Sequence, residues 1–211
     1  MLARPRVRLM PEAELSKVDP DWPSTRAGVV RDAIGVGIAT GAYGLSFGAI
    51  STAAGLSVPQ TCVLSLVLFS GGSQFALAGV VSGGGAAMTG AATAVLLGVR
   101  NGFYGLRLTR LLELRRWQRP VAAHLVIDER TAMAVVRTSR PAARLAFWAT
   151  GLSVFVLWNL ATLIGALAAT LLRDPRTLGL DAAAPAAFLA LMAPRLRSRE
   201  HRVVALIPAV V

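Results

Sequence analysis

Arg100 lies in a run of apolar residues, with Val95, Leu96, Leu97 and Val99 before it and Phe103 and Leu106 after it. A guanidinium there cannot face hydrocarbon cheaply. It either binds an anion, for which its planar fork suits a carboxylate, or snorkels toward Arg107 and a polar surface. Asp128 and Glu129 form the only acidic pair inside an apolar run. Desolvated carboxyls of this kind carry protons, and they serve equally well in a structural ion pair with Arg100 or Arg130. His124 shares a helical face with Asp128, which leaves a proton relay and a plain surface histidine both open. The third feature is Ser70-Gly71-Gly72-Ser73-Gln74, which interrupts another apolar run. Paired glycines weaken a helix, and a broken helix at membrane depth exposes backbone groups that bind zwitterions and ions. A packing kink is the alternative, as interhelical glue is for Asn159.

The elements that must hold these residues follow from the apolar runs. Ala33–Leu56 is free of charge and exceeds the ~20 residues a bilayer requires. Gly37 and Gly41, then Gly44 and Gly48, repeat along one face of it and suit close helix packing or a substrate path. Pro59–Val81 holds the glycine break, Ala86–Leu106 holds Arg100 and Asn101, and Val121–Val136 holds the acidic pair. Leu145–Leu172 is the cleanest span, and Ala182–Pro194 and Val203–Val211 follow it. The chain ends inside an apolar segment, which reads as truncation. Residues 1–26 read as a polar cytoplasmic tail without the apolar core of a signal sequence, and residues 27–211 as one membrane domain.

Composition agrees. Apolar residues make up 55% before 20 glycines are added, charged residues only 16%, and mean hydropathy is +0.59. Globular chains reach only ~45–50% with glycine included. A soluble surface and a disordered chain are both excluded. The net charge of +11 does not indicate nucleic acid, because the basic residues cluster at the ends of apolar runs, as cytoplasmic loops do. The expected fold is an all-α membrane bundle of several spans with one or two broken or re-entrant segments.

Charge also constrains the path. Arg26 and Arg31 put the N-terminal side in the cytoplasm, and so does the Arg107–Arg119 cluster for its own loop. Three crossings between them would put that cluster outside, so Pro59–Val81 should enter and leave on one side, turning at Gly71-Gly72. Val121–Val136, basic at both ends, should also be re-entrant or lie in the interface. Residues 195–202 then face the cytoplasm and 173–181 face outward. Enzymatic readings find little support. Lys17 is the only lysine, so no phosphate-binding GxxxxGK[ST] loop exists. Cys62 is the only cysteine, and neither a metal site nor a cofactor is expected.

Together, Ser46-Phe47-Gly48, Phe69-Ser70-Gly71-Gly72-Ser73-Gln74-Phe75, Arg100-Asn101-Gly102-Phe103-Tyr104-Gly105 and Asp128-Glu129 with Thr131 and Ala132 resemble the AzlC-type branched-chain amino acid permeases over about residues 25–205. The resemblance implies export of valine, leucine and isoleucine across a bacterial inner membrane, with a small AzlD-type membrane protein as partner. The family's Asn-x-Arg-His is here Gly98-Val99-Arg100-Asn101, so Arg100 is kept while the histidine is not, and Arg130 after the acidic pair is unusual. On this reading the substrate is held by Arg100, Ser70, Gly71, Gly72, Ser73, Gln74, Asn101 and Phe103, with Phe69 and Phe75 completing an apolar wall. Asp128 or Glu129 then titrates to couple transport to an ion gradient, or holds Arg100 in place when the site is empty. A membrane scaffold that transports nothing is the reading from another class, and a charged Arg100 beside a broken helix has no purpose in one.

Overall fold

The computed structural model describes residues 21–171, which form seven helices and no strand. Three are long: α1 (Trp22–Ala53), α4 (Ala87–Leu112) and α7 (Arg140–Leu171). Between them stand two pairs of short helices, α2 (Val58–Val67) with α3 (Gly71–Ser82), and α5 (Gln118–His124) with α6 (Asp128–Val135). Helix α1 begins at Trp22, inside the segment read as a polar tail, with Pro23 in its first turn. Residues 173–181, 182–194, 195–202 and 203–211, to which the sequence assigns a loop, a short span, a basic loop and a final apolar run, lie outside the described residues.

Helices α1 and α7 are each 32 residues, ~48 Å at 1.5 Å per residue, and are long and apolar enough to cross a membrane. They run parallel. Gly37 lies on Ser153, Gly41 on Leu157, Gly44 on Trp158 and Ala161, and Gly48 on Thr162 and Ala166, while Gly165 returns the contact to Leu45. A Cβ at Gly44 would come within 2.5 Å of the Trp158 carbonyl oxygen, and one at Gly48 within 2.7 Å of the Ala166 nitrogen. The glycine spacing therefore serves packing, letting two backbones touch where no side chain fits.

Local signals set the other turns. Ser57 and Gln60 form a reciprocal capping box that starts α2, with Pro59 in its first turn. Gly55 and Gly84 take positive φ (96° and 78°) in the turns after α1 and α3, a conformation glycine adopts without a Cβ penalty. Helix α4 runs opposite to α7. Its C-terminal carbonyls at Leu112 and Glu113 accept Arg144 Nε and Nη2 at 2.6 and 2.8 Å, and the Glu113 carboxylate pairs with Arg140 at 2.7 Å.

Each short pair enters and leaves at one end of the bundle. Helix α2 starts where α1 finishes, and Ser65 reaches Thr162 (3.4 Å). The break at Leu68–Ser70 lies beside Phe155 and Trp158. Helix α3 then climbs back, with Phe75 on Phe47 and Leu77 on Gly90 near the start of α4. The second pair starts at the opposite end, after α4. His124 reaches Phe155 at its tip, and α6 returns to the Arg137–Asp32 ion pair (3.2 Å) and the start of α7. Pro59–Val81 and Val121–Val136 each fold as a pair of short helices that turns back within the bundle.

The result is an inverted repetition, in which a long helix and a re-entrant pair are followed by the same set in the opposite direction. Ser70 before α3 corresponds to Ile127 before α6, and at the same spacing Phe47-Gly48 corresponds to Tyr104-Gly105. Inverted repeats with broken helices near their interface are a common plan of secondary transporters. Because the α1–α7 seam has no free volume, Gly48→Val should cost at least the ~1–3 kcal/mol of an overpacked core. Thermal unfolding in detergent should show a lower midpoint for Gly48→Val, and an equal or higher midpoint for Gly28→Ala, which meets open space inside a helix.

Candidate functional site

The two tips meet midway along α7. The Phe69 ring from the first lies 6.3 Å from the His124 ring of the second, and both rest on Phe155 at 5.0 and 6.2 Å. Across this contact the Arg100 guanidinium of α4 pairs with the Asp128 carboxylate at 3.3 Å. Gly72 makes room for it, since a Cβ at that position would stand 3.2 Å from Arg100 Nη2. The sequence left Arg100 between an anion site and a snorkelling arginine; here its guanidinium turns toward the tips. Of the partners weighed for the acidic pair, Arg100 takes Asp128, and Arg130 is ion-paired with neither acid.

A broken helix leaves carbonyls without partners at one stump and N–H groups without partners at the next. Each tip closes its carbonyl side with a residue from the first turn of its returning helix. Gln74 is fully buried and donates from Nε2 to the carbonyls of Leu68 (2.5 Å) and Ser65 (3.3 Å), while its Oε1 accepts from Trp158 Nε1 at 2.9 Å. Arg130, also fully buried, donates from Nη1 to the Leu125 carbonyl (2.8 Å) and from Nε to the Phe147 carbonyl (2.5 Å). Its guanidinium lies 3.3 Å from the Phe147 ring centroid and 5.0 Å from that of Trp148. Gly151 provides the space, because a Cβ there would strike the guanidinium. Cation–π contact and two carbonyls partly offset a buried charge that has no counter-ion among the described residues, where Arg130 Nη2 is buried without a partner. Both tips are thereby tied to α7.

On the N–H side, Ser70 and Ile127 provide no side-chain cap, so the first turns of α3 and α6 present the positive ends of their dipoles. Asp128 and Glu129 occupy that turn of α6, where negative charge is favoured. No acid occupies the first turn of α3, and Arg100 stands beside it. An anion at the first tip thus meets a guanidinium and a helix N-terminus together.

The structure brings together Ser70, Gly71, Gly72, Arg100 and Asp128. It engages Ser73 and Gln74 elsewhere: Ser73 Oγ donates to the Ala94 carbonyl (2.8 Å) and holds α3 on α4, and Gln74 has the three partners above. Phe103 is 69% exposed on α4, while Phe69 and Phe75 pack into the centre with Phe47 and Trp158. Asn101 follows Arg100 and lines an open groove of about 360 Å³ with Leu108, Leu112, Val126 and Phe147; its Oδ1 is buried without a partner among the described residues. Asn159 donates within its own helix to Phe155, so it bridges no helices through that nitrogen. Sequence reasoning missed the roles of Trp158 and Arg130. A tryptophan and a buried arginine attract attention, but only the fold shows that Gln74 and Arg130, one register position apart in the repeat, each close the carbonyl side of a break.

The AzlC protein family matches residues 35–172, which contain every element of both tips. The chain belongs to the AzlC family. Its general activity is membrane transport of amino acids, and the two long apolar helices of this AzlC protein agree with a membrane location. No curated protein and no solved structure shows significant similarity to it.

The tie between the first tip and α7 yields a ranking. Trp158→Phe leaves Gln74 Oε1 buried without a donor, at ~1–3 kcal/mol. Gln74→Leu leaves two carbonyls and the indole N–H without partners, so it should lower the unfolding midpoint further. Equal midpoints for Gln74→Leu and wild type in detergent would contradict the capping role.

Proposed function

We propose that this AzlC protein is the large subunit of a secondary exporter of valine, leucine and isoleucine, working in the bacterial inner membrane with a small AzlD-type partner. Helices α1, α4 and α7 cross the bilayer, and the two re-entrant pairs dip in from opposite sides. The distribution of charge supports this orientation. The end holding Arg26, Arg31, Arg107, Arg110, Arg115, Arg116, Arg119, Arg137, Arg140 and Arg144 is cytoplasmic, while the turns at 54–57 and 83–86 carry no charge.

The observation that carries the proposal is the meeting of two half-helix tips at Arg100–Asp128, within a chain of this family. A hydrophobic amino acid is a zwitterion with a greasy tail. It needs a fixed cation for its carboxylate, acceptors for its ammonium and an apolar wall. Arg100 and the first turn of α3 supply the first, as half-helix N-termini do for anionic groups in other transporters. The mostly apolar groove running from Asn101 toward Leu112 starts one residue from Arg100 and offers an apolar wall for a branched side chain. Because the tips are reached from opposite ends, small movements of one re-entrant pair against the other would expose the site to one side at a time. Asp128 or Glu129, at the second tip, is placed to couple transport to an ion gradient.

Cells loaded with a valine-containing dipeptide should accumulate more free valine without the gene than with it. Arg100→Lys keeps the charge but loses the planar fork, so export should fall about tenfold or more while the protein still inserts. Equal valine pools with and without the gene would refute export of that amino acid. Normal export by both Arg100→Lys and Arg100→Gln at wild-type protein levels would move the site away from Arg100.

A further inference from the structure

The Arg100–Asp128 pair differs from every other polar arrangement at the tips. Gln74 and Arg130 are fully buried and locked by the fold, whereas the Arg100 and Asp128 side chains keep 46% and 45% of their surface exposed. Among the described residues neither makes a second ion pair. The pair joins the two inverted repeats, one charge standing at the tip of each. It is the one charged contact there that can open without unfolding a helix end.

Resting on the amino acid transport reading above, we infer that Asp128 reads the α-ammonium of the substrate, and that the empty site's ion pair holds the place of a zwitterion. The incoming carboxylate replaces Asp128 on Arg100, and the incoming ammonium replaces Arg100 on Asp128. One ion pair becomes two, the net charge of the site is unchanged, and no charge is left alone at membrane depth, where an isolated charge is costly. Selectivity follows from the same accounting of charge. A 2-oxo acid of the same shape satisfies Arg100 but strands Asp128, and an amine of the same shape satisfies Asp128 but strands Arg100. Asp128 is thus a specificity-determining residue that restricts the site to α-amino acids, besides any part its neighbour Glu129 takes in coupling.

The test uses the purified full chain in detergent, with thermal unfolding followed against leucine, 4-methyl-2-oxopentanoate and 3-methylbutan-1-amine. A lost ionic hydrogen bond is worth about tenfold or more in affinity. Wild type should therefore respond to leucine at least tenfold more sensitively than to either analogue. Asp128→Asn should respond to the 2-oxo acid as well as to leucine or better, because Arg100 is then free and nothing is stranded. Asp128→Glu should restore the preference. Asp128→Ser serves as a second neutral variant should the asparagine form fail to accumulate. A tenfold leucine preference that persists in a neutral variant overturns the inference, as does loss of both ligands from both neutral variants, since Arg100 alone should hold the 2-oxo acid. Those results leave the transport reading standing. A wild type that does not respond to leucine removes both.

Discussion

Backbone polarity is the constraint on which this structure turns. A helix interrupted in an apolar interior must satisfy the amide and carbonyl groups that the interruption exposes, because no water is there to do it. The protein does this asymmetrically. At both breaks the carbonyl stump is closed by a buried side chain from the following helix, Gln74 in one case and Arg130 in the other. The N–H stumps take no cap from Ser70 or Ile127; Arg100 stands beside the first, and Asp128 and Glu129 occupy the first turn of the second.

The rest of the bundle keeps those tips in place. Helix α7 provides the Trp158 indole for Gln74 and the Phe147 carbonyl and ring for Arg130. It is itself fixed by the glycine seam with α1, where the absence of side chains removes any freedom to slide. The most tightly packed parts are thus the α1–α7 post and the stump caps, whereas the Arg100–Asp128 ion pair between the tips is half-exposed. A transporter requires that division: a site that opens and closes within a frame that does not.

Much of this was legible in the sequence because membranes leave few choices. Charge parity made a turn-back the simplest path for Pro59–Val81 and one of two for Val121–Val136, and Gly71-Gly72 marked the first turn. The glycine periodicity from Gly37 to Gly48 indicated a close helix neighbour without saying which; that neighbour is α7, more than a hundred residues away in the chain. Arg100 and Asp128 were each recognisable as costly. Two things were not legible. Ser73 and Gln74 look like ligand groups in a list of polar residues, yet their polar atoms are used by the fold, and only three-dimensional contacts distinguish a cap from a site. The repetition relating the two tips was hidden as well. Ser70-Gly71-Gly72 and Ile127-Asp128-Glu129 do the same structural work with different chemistry, so similarity of sequence between them has faded to Phe47-Gly48 and Tyr104-Gly105.

The central claim is that two re-entrant tips from opposite ends of the bundle meet halfway along α7. It is tested most directly by a double cysteine variant, Phe69→Cys with His124→Cys in a Cys62→Ser background, carrying a protease site in the 113–117 loop. A short bifunctional thiol reagent applied to native membranes should join the two positions, so that the halves stay together after proteolysis. The same reagent should leave a Gly84→Cys, His124→Cys pair unjoined, since Gly84 lies at the end where α3 finishes. Joining of 84 to 124 without joining of 69 to 124 would contradict the account, because it would place the second tip against the outer turn and leave Arg100 and Asp128 without a common site.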